Sequence, residues 1–187
     1  MPPARLTIID NVRYVPAVAL LCGMAFGDVH NCSCELANAE SMAKHECGLC
    51  REAEKQPANV PVFFLKDINP RKPNRWLALP RAHTHLLADL TAEQRTEFWT
   101  AAIQKARELF GEQWGLAVNG DASRTQCHVH VHIGKLLDDA ENRDFVVVNG
   151  PADIPVPQDG AGFWVHPVAR KLHVHGDEDV TETVLMR

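Results

Sequence analysis

The chain has no basic excess: 19 Lys and Arg stand against 24 Asp and Glu, for a net charge of -5. No global positive field exists to hold nucleic acid or an anionic bilayer, so an anionic substrate has to be held by local groups. No stretch reaches the roughly 18 uninterrupted apolar residues that a membrane-spanning helix needs. Internal repeats and low-complexity tracts are also missing, which removes solenoids and arrays. What remains is a chain of 187 residues, 45% hydrophobic, enough for one ordinary core with an appendage.

The nearest approach to a long apolar run is Tyr14 to Phe26, preceded by Arg5 and Arg13 and closed by Ala25-Phe26-Gly27. This is close to a secretory signal. Residues 1–27 are therefore expected to be a signal peptide or a hydrophobic N-terminal arm, with residues 28–187 as the folded domain. Export (periplasmic or secreted) or membrane association follows as the expectation. Asp10 and Pro16 are out of place in a leader, and a cytoplasmic protein with an apolar arm is the other reading.

Six cysteines are present, and their spacing says more than their number. Cys47-Gly48-Leu49-Cys50 is a Cys-x-x-Cys pair, which suits a zinc half-site or a redox pair; the redox version opens a helix in a βαβ unit that this chain does not spell. Cys32 and Cys34 can join them in a four-cysteine zinc site, form disulfides after export, or stay free. Cys22 lies in the apolar run and Cys127 is expected to point away from the neighbouring histidines, so neither is read as a ligand.

Residues 35–55 are rich in Ala and Glu, without Pro, and predict one or two short helices that carry the Cys pair. Residues 60–65 (VPVFFL) and 75–79 (RWLAL) are strand-like, and the segment between them, with two prolines and two asparagines, spells a turn. Thr91 followed by Gln94 reads as a capping box, and Phe98, Ala102, Ala106, Leu109 and Phe110 recur at helical spacing until Gly111. Further strands are expected at 116–118, 128–133, 145–148, 163–165, 171–174 and 183–186. Strands with one long helix among them favour an α+β fold built on an antiparallel sheet.

The sharpest feature is His128-Val129-His130-Val131-His132-Ile133. Alternation along a strand puts the three histidines on one face and the three aliphatic residues on the other. Three imidazoles crowded on one buried face would each need a partner, so a site is expected there. Neutral imidazole is also a good nucleophile near pH 7 and splits one difficult displacement into two.

The pattern resembles the histidine triad (HIT) superfamily of nucleotide hydrolases and transferases. The resemblance implies that His130 attacks the α-phosphorus to give a covalent nucleotidyl-histidine, that His132 binds phosphate or leaving-group oxygens, and that His128 completes the triad. The loop before the triad, with Asn119 and Arg124-Thr125-Gln126, is similar to that of the CDP-diacylglycerol pyrophosphatase branch. Asn119, Ser123, Arg124, Thr125 and Gln126 are accordingly expected to clamp phosphate oxygens. The family pattern ends in two apolar residues, whereas this chain has Ile133-Gly134.

Leu79-Pro80-Arg81-Ala82-His83 resembles the family segment that closes the second strand. In members that keep a Cys-x-x-Cys, that histidine, the two cysteines and the first triad histidine hold a structural zinc, which implies Cys47, Cys50, His83 and His128 as ligands. The resemblance covers roughly 47–134, the expected HIT-like core, with an extra C-terminal β segment at about 150–187. It implies a nucleotide or nucleotide-lipid substrate such as CDP-diacylglycerol, with peripheral membrane contact, no catalytic cofactor, and a homodimer. Two further readings stay open: a metalloenzyme with the three histidines as metal ligands, and a nucleotide-binding protein without turnover. His30, His45, His85, His166, His173 and His175 are given no role.

Overall fold

The computed structural model describes residues 47–157 and 159–187, together with Asn38 and Glu40. The leader at 1–27, Cys22, Cys32, Cys34, His30, His45 and most of the helical region read before residue 47 lie outside the described residues. Within them the chain runs α1 (Gly48–Glu54), β1 (Val62–Lys66), β2 (Trp76–Pro80), α2 (Ala92–Phe110), β3 (Trp114–Val118) and β4 (Val131–Lys135). It continues through β5 (Val146–Val148), β6 (Gly162–Val168) and β7 (Lys171–Glu178) to a 3-10 turn at Thr181–Val184. The seven strands form one sheet in the order β1-β2-β4-β3-β6-β7-β5, and every pairing is antiparallel. An α+β fold with an antiparallel sheet is therefore what the chain adopts.

Local chemistry sets the long helix. Thr91 Oγ1 accepts from the Gln94 N–H while Gln94 Oε1 accepts from the Thr91 N–H, a reciprocal box that satisfies two orphan donors of the first turn. At the far end Gly111 takes φ 59°, a backbone conformation that costs glycine little, and the helix stops. Phe98, Trp99, Ala102, Ile103 and Ala106 of α2 are buried against Leu116, Val118, Val131, Ile133, Val165 and Val174, so the helix covers one face of the sheet. The site is built on the other face, where Ala117 pairs with His132 on one side and Trp164 on the other. The C-terminal strands are no separate layer: β6 hydrogen-bonds directly to β3 and extends the same sheet.

Two segments depart from the strand pattern read in the sequence. Regular pairing in β4 begins only at Val131, and residues 128–130 run up to it without strand pairing, with the Val129 N–H donating to the Thr84 carbonyl. Alternation nonetheless survives, since Val129, Val131 and Ile133 all join the core. Residues 183–186 are not a strand. The 3-10 turn occupies Thr181–Val184, followed by an isolated bridge between Leu185 and Leu136. Its backbone is satisfied partly by the end of β4 and partly by side chains: the Met186 N–H donates to the Lys135 carbonyl and the Leu137 N–H to the Val184 carbonyl, while Asn119 Oδ1 accepts from the Glu182 N–H and Arg75 donates to the carbonyls of Glu182, Leu185 and Met186. No helix among the described residues is long and apolar enough to cross a membrane.

Candidate active site

His130 is the best-placed nucleophile. Its Nδ1 lies 3.0 Å from the His128 carbonyl oxygen, which can only accept, so the proton is held on Nδ1 and the Nε2 lone pair is left open. Among the described residues nothing hydrogen-bonds that Nε2. The ring lines a cleft of about 710 Å³, together with His132, Asn119, Ser123, Arg124, Thr125, Gln126, Lys66, Lys72 and Glu182. Burial holds the imidazole well below its ordinary range, at about 4, so it is neutral in neutral solution.

His132 sits beside it, the ring centroids 5.0 Å apart. Asn119 Nδ2 stands 3.5 Å from His132 Nε2, and Glu182 Oε2 faces Nδ1 from 3.6 Å. Burial alone would raise the Glu182 carboxyl, but His132, Lys72 and Arg75 around it outweigh that and hold it at about 2. Lys72 and Arg75 carry permanent charge, so the carboxylate persists while burial pushes His132 down to about 3.

A pH dependence follows from His132. The unfolded ring titrates near 6.5, so between there and about 3 the unfolded state binds the extra proton and stability falls as pH falls. Between pH 7 and pH 5 the wild type should lose about 2 kcal/mol more unfolding free energy than His132→Asn, each measured by urea unfolding. Equal losses in the two proteins would show that the native ring is not held neutral.

The loop side chains divide. Ser123 and Thr125 line the cleft and are free for a phosphate. Asn119 also serves the fold, since its Oδ1 accepts from both the Glu182 N–H and the Thr181 hydroxyl. Arg124 is almost wholly buried and donates to Asp121 Oδ1, so part of its charge is already met. Gln126 Oε1 accepts from the Leu49 N–H at 3.1 Å and ties α1 to the triad. A Cβ at Gly48 would stand 2.9 Å from that oxygen, so a larger residue there would displace the Gln126 amide.

Next to the triad strand, Cys50, His83 and His128 bring one ligand atom each to within 4.8 Å of one another. Cys50 Sγ is 2.9 Å from His83 Nε2. His128 Nε2 donates to the Pro80 carbonyl at 2.7 Å, and its Nδ1 is buried with no hydrogen-bond partner. A buried imidazole nitrogen left as a bare acceptor next to a thiol is the donor set of a soft or borderline cation. Without a cation, burial pushes the Cys50 thiol up to about 11.

Cys47, expected as the fourth ligand, is not part of this group. Cys47 and Cys127 each take part in a disulfide, whereas Cys50 has a free, buried thiol. A sulfur committed to a disulfide has no thiolate to give a metal. Nor do the three triad histidines converge on one point. Among the described residues no metal-capable group contains more than one of them, because His128 turns toward Cys50 while His130 and His132 face the cleft.

Three contributors carried no local signal: Lys72 from the turn between β1 and β2, Arg75 at the foot of β2, and Glu182. Each matters through contacts of more than a hundred residues' separation. No family model matches the chain, so the reading of the site rests on its own geometry.

Proposed function

We propose that this chain is a histidine-triad nucleotidyl hydrolase or transferase, with a HIT-like fold, that cleaves a phosphoric anhydride through a covalent intermediate on His130. The observation that carries the reading is the hydrogen bond from His130 Nδ1 to the His128 carbonyl, which fixes the tautomer whose Nε2 can attack. In the proposed course Nε2 bonds to the α-phosphorus as the anhydride P–O bond breaks, and the leaving phosphate departs with that electron pair. Water or another acceptor then takes the nucleotidyl group and restores the ring. Ser123, Thr125 and Lys72 lie around the cleft where phosphate oxygens would sit, and His132 is placed beside the attacking ring.

A nucleotide-lipid such as CDP-diacylglycerol, giving CMP and phosphatidate, fits the mouth of the cleft. Ile68 is 98% exposed there, between Lys66 and Lys72 in a rim that also carries Asp67, an apolar side chain of the kind that can meet an acyl chain. The disulfide-bonded Cys47 and Cys127 suit an exported protein. For Cys50, His83 and His128 the fitting ion is zinc, bound by one thiolate and two imidazoles. When bound it would crosslink α1, the segment after β2 and the triad. These residues stand next to the triad strand and would hold it in place without entering the reaction.

The test is turnover on CDP-diacylglycerol, a dinucleoside polyphosphate and a nucleoside phosphoramidate. At least one should release nucleoside monophosphate in the presence of EDTA added after purification. Tight nucleotide binding with no turnover on any of them would favour a non-catalytic nucleotide-binding protein instead.

A further inference from the structure

A second group of imidazoles lies at the other end of the same sheet face. Residues β6 and β7 pair so that His166 stands opposite His173 and Trp164 opposite His175. Leu172 and Val174 point into the core, so His173 and His175 point the other way, joined there by His166. The segment between β4 and β5 brings Glu141 onto them: its Oε1 is 2.6 Å from His173 Nδ1 and 3.8 Å from His166 Nε2. One ligand atom from each of the four lies within 4.8 Å of all the others.

The ring nitrogens lie close enough together to share one cation. His166 Nε2 and His175 Nε2 are 3.3 Å apart. Two nitrogens bound to one tetrahedral ion at about 2.0–2.1 Å stand about 3.3–3.4 Å from one another. On the far side of His175, Asn142 Oδ1 is 3.0 Å from Nδ1 and can keep the proton there, which leaves Nε2 as a lone pair. Ring planes are held as well: Trp164 stacks on His175 with 3.7 Å between centroids, and Phe145 on His173 with 4.0 Å. His166 and His175 are almost fully buried, while Glu141 is half-exposed and leaves one side open to solvent.

We propose that Glu141, His166, His173 and His175 form a second metal site, taking one divalent transition-metal ion of the zinc type. Three imidazoles and a carboxylate make a closed four-ligand shell, so the ion acts as a staple. It fastens the segment around Glu141 and Asn142 to the β6–β7 hairpin. Two strand spacings separate His132 from His166 and three from His173 and His175, about 10 to 14 Å across the sheet, and the group shares no residue with the Cys50 group.

The test is a cobalt titration of the full-length, chelator-stripped protein followed by visible and near-ultraviolet absorption. An ion held by nitrogen and oxygen gives d–d bands without the thiolate-to-cobalt charge-transfer band that a Cys50-bound ion must show. The expected result is one equivalent per chain in addition to any bound at Cys50, carrying no charge-transfer band, lost in Glu141→Gln and in His173→Gln and kept as the single band-free equivalent in Cys50→Ala. Should His173→Gln fail to fold, the half-exposed Glu141→Gln decides. Cobalt uptake that is wholly Cys50-dependent, or folded variants that bind as the wild type does, would overturn the proposal.

Discussion

His130→Ala should lose at least about 10⁴-fold in kcat on whichever nucleotide the wild type cleaves, while the fold stays intact. Removing a covalent nucleophile eliminates the low-barrier route and leaves only positioning and electrostatics, a loss of this order or larger where it has been measured in hydrolases. The structural cost is small by comparison. The His130 side chain makes one hydrogen bond, to a carbonyl two residues away, and its loss costs about 1 kcal/mol. Turnover and thermal unfolding measured on the same preparation separate the two effects. Activity within tenfold of wild type in a folded His130→Ala protein would remove His130 from the chemistry.

Arg75→Met should be the most destabilising single change near the site. The guanidinium is 1% exposed and holds the C-terminal segment through Nε to the Met186 carbonyl, Nη2 to the Glu182 and Leu185 carbonyls, and Nη1 to the Glu182 carboxylate. It can lie there because β4 has Gly134: a Cβ at that position would come within 3.0 Å of Arg75 Cδ. Without the guanidinium the Leu185 and Met186 carbonyls lose their donor, the Glu182 carbonyl keeps only the Leu185 N–H, and a largely buried carboxylate keeps Lys72 as its one cationic partner. Breaking one partner of a buried, hydrogen-bonded pair costs about 3–5 kcal/mol. For a chain of this size that is a fall in Tm on the order of 10 °C. Calorimetry reads it, and a change below about 1 kcal/mol would mean the segment is held by something else. Activity should fall with it, since Glu182 faces His132 only while this anchor holds.

What could be read from the sequence was what short-range rules govern. Thr91, Gln94 and Gly111 mark the ends of α2 because caps act within a turn of the residues they serve. Val129, Val131 and Ile133 mark the core face because strand alternation is local. The departure at Gly134 was visible, but its reason was not, since the group that fills the space is Arg75, which in turn reaches residues 182–186. Residues 183–186 look like a strand, and they do bond to the end of β4 through Val184 and Met186, but nothing nearby shows that Arg75 takes the remaining carbonyls and holds them in a turn and a single bridge. Cys47 has the spacing of a ligand, and spacing cannot reveal a disulfide. His173 and His175 look like a solvated pair until the register places His166 opposite them and Glu141 above them.

The stereochemical course at the α-phosphorus tests the central claim most directly. A substrate made chiral there by one sulfur substitution, hydrolysed in isotopically labelled water, reports whether one displacement occurs or two. Each in-line displacement inverts the centre, so attack by His130 followed by attack of water predicts net retention. Net inversion would mean that water strikes phosphorus directly, and that His130 is no nucleophile.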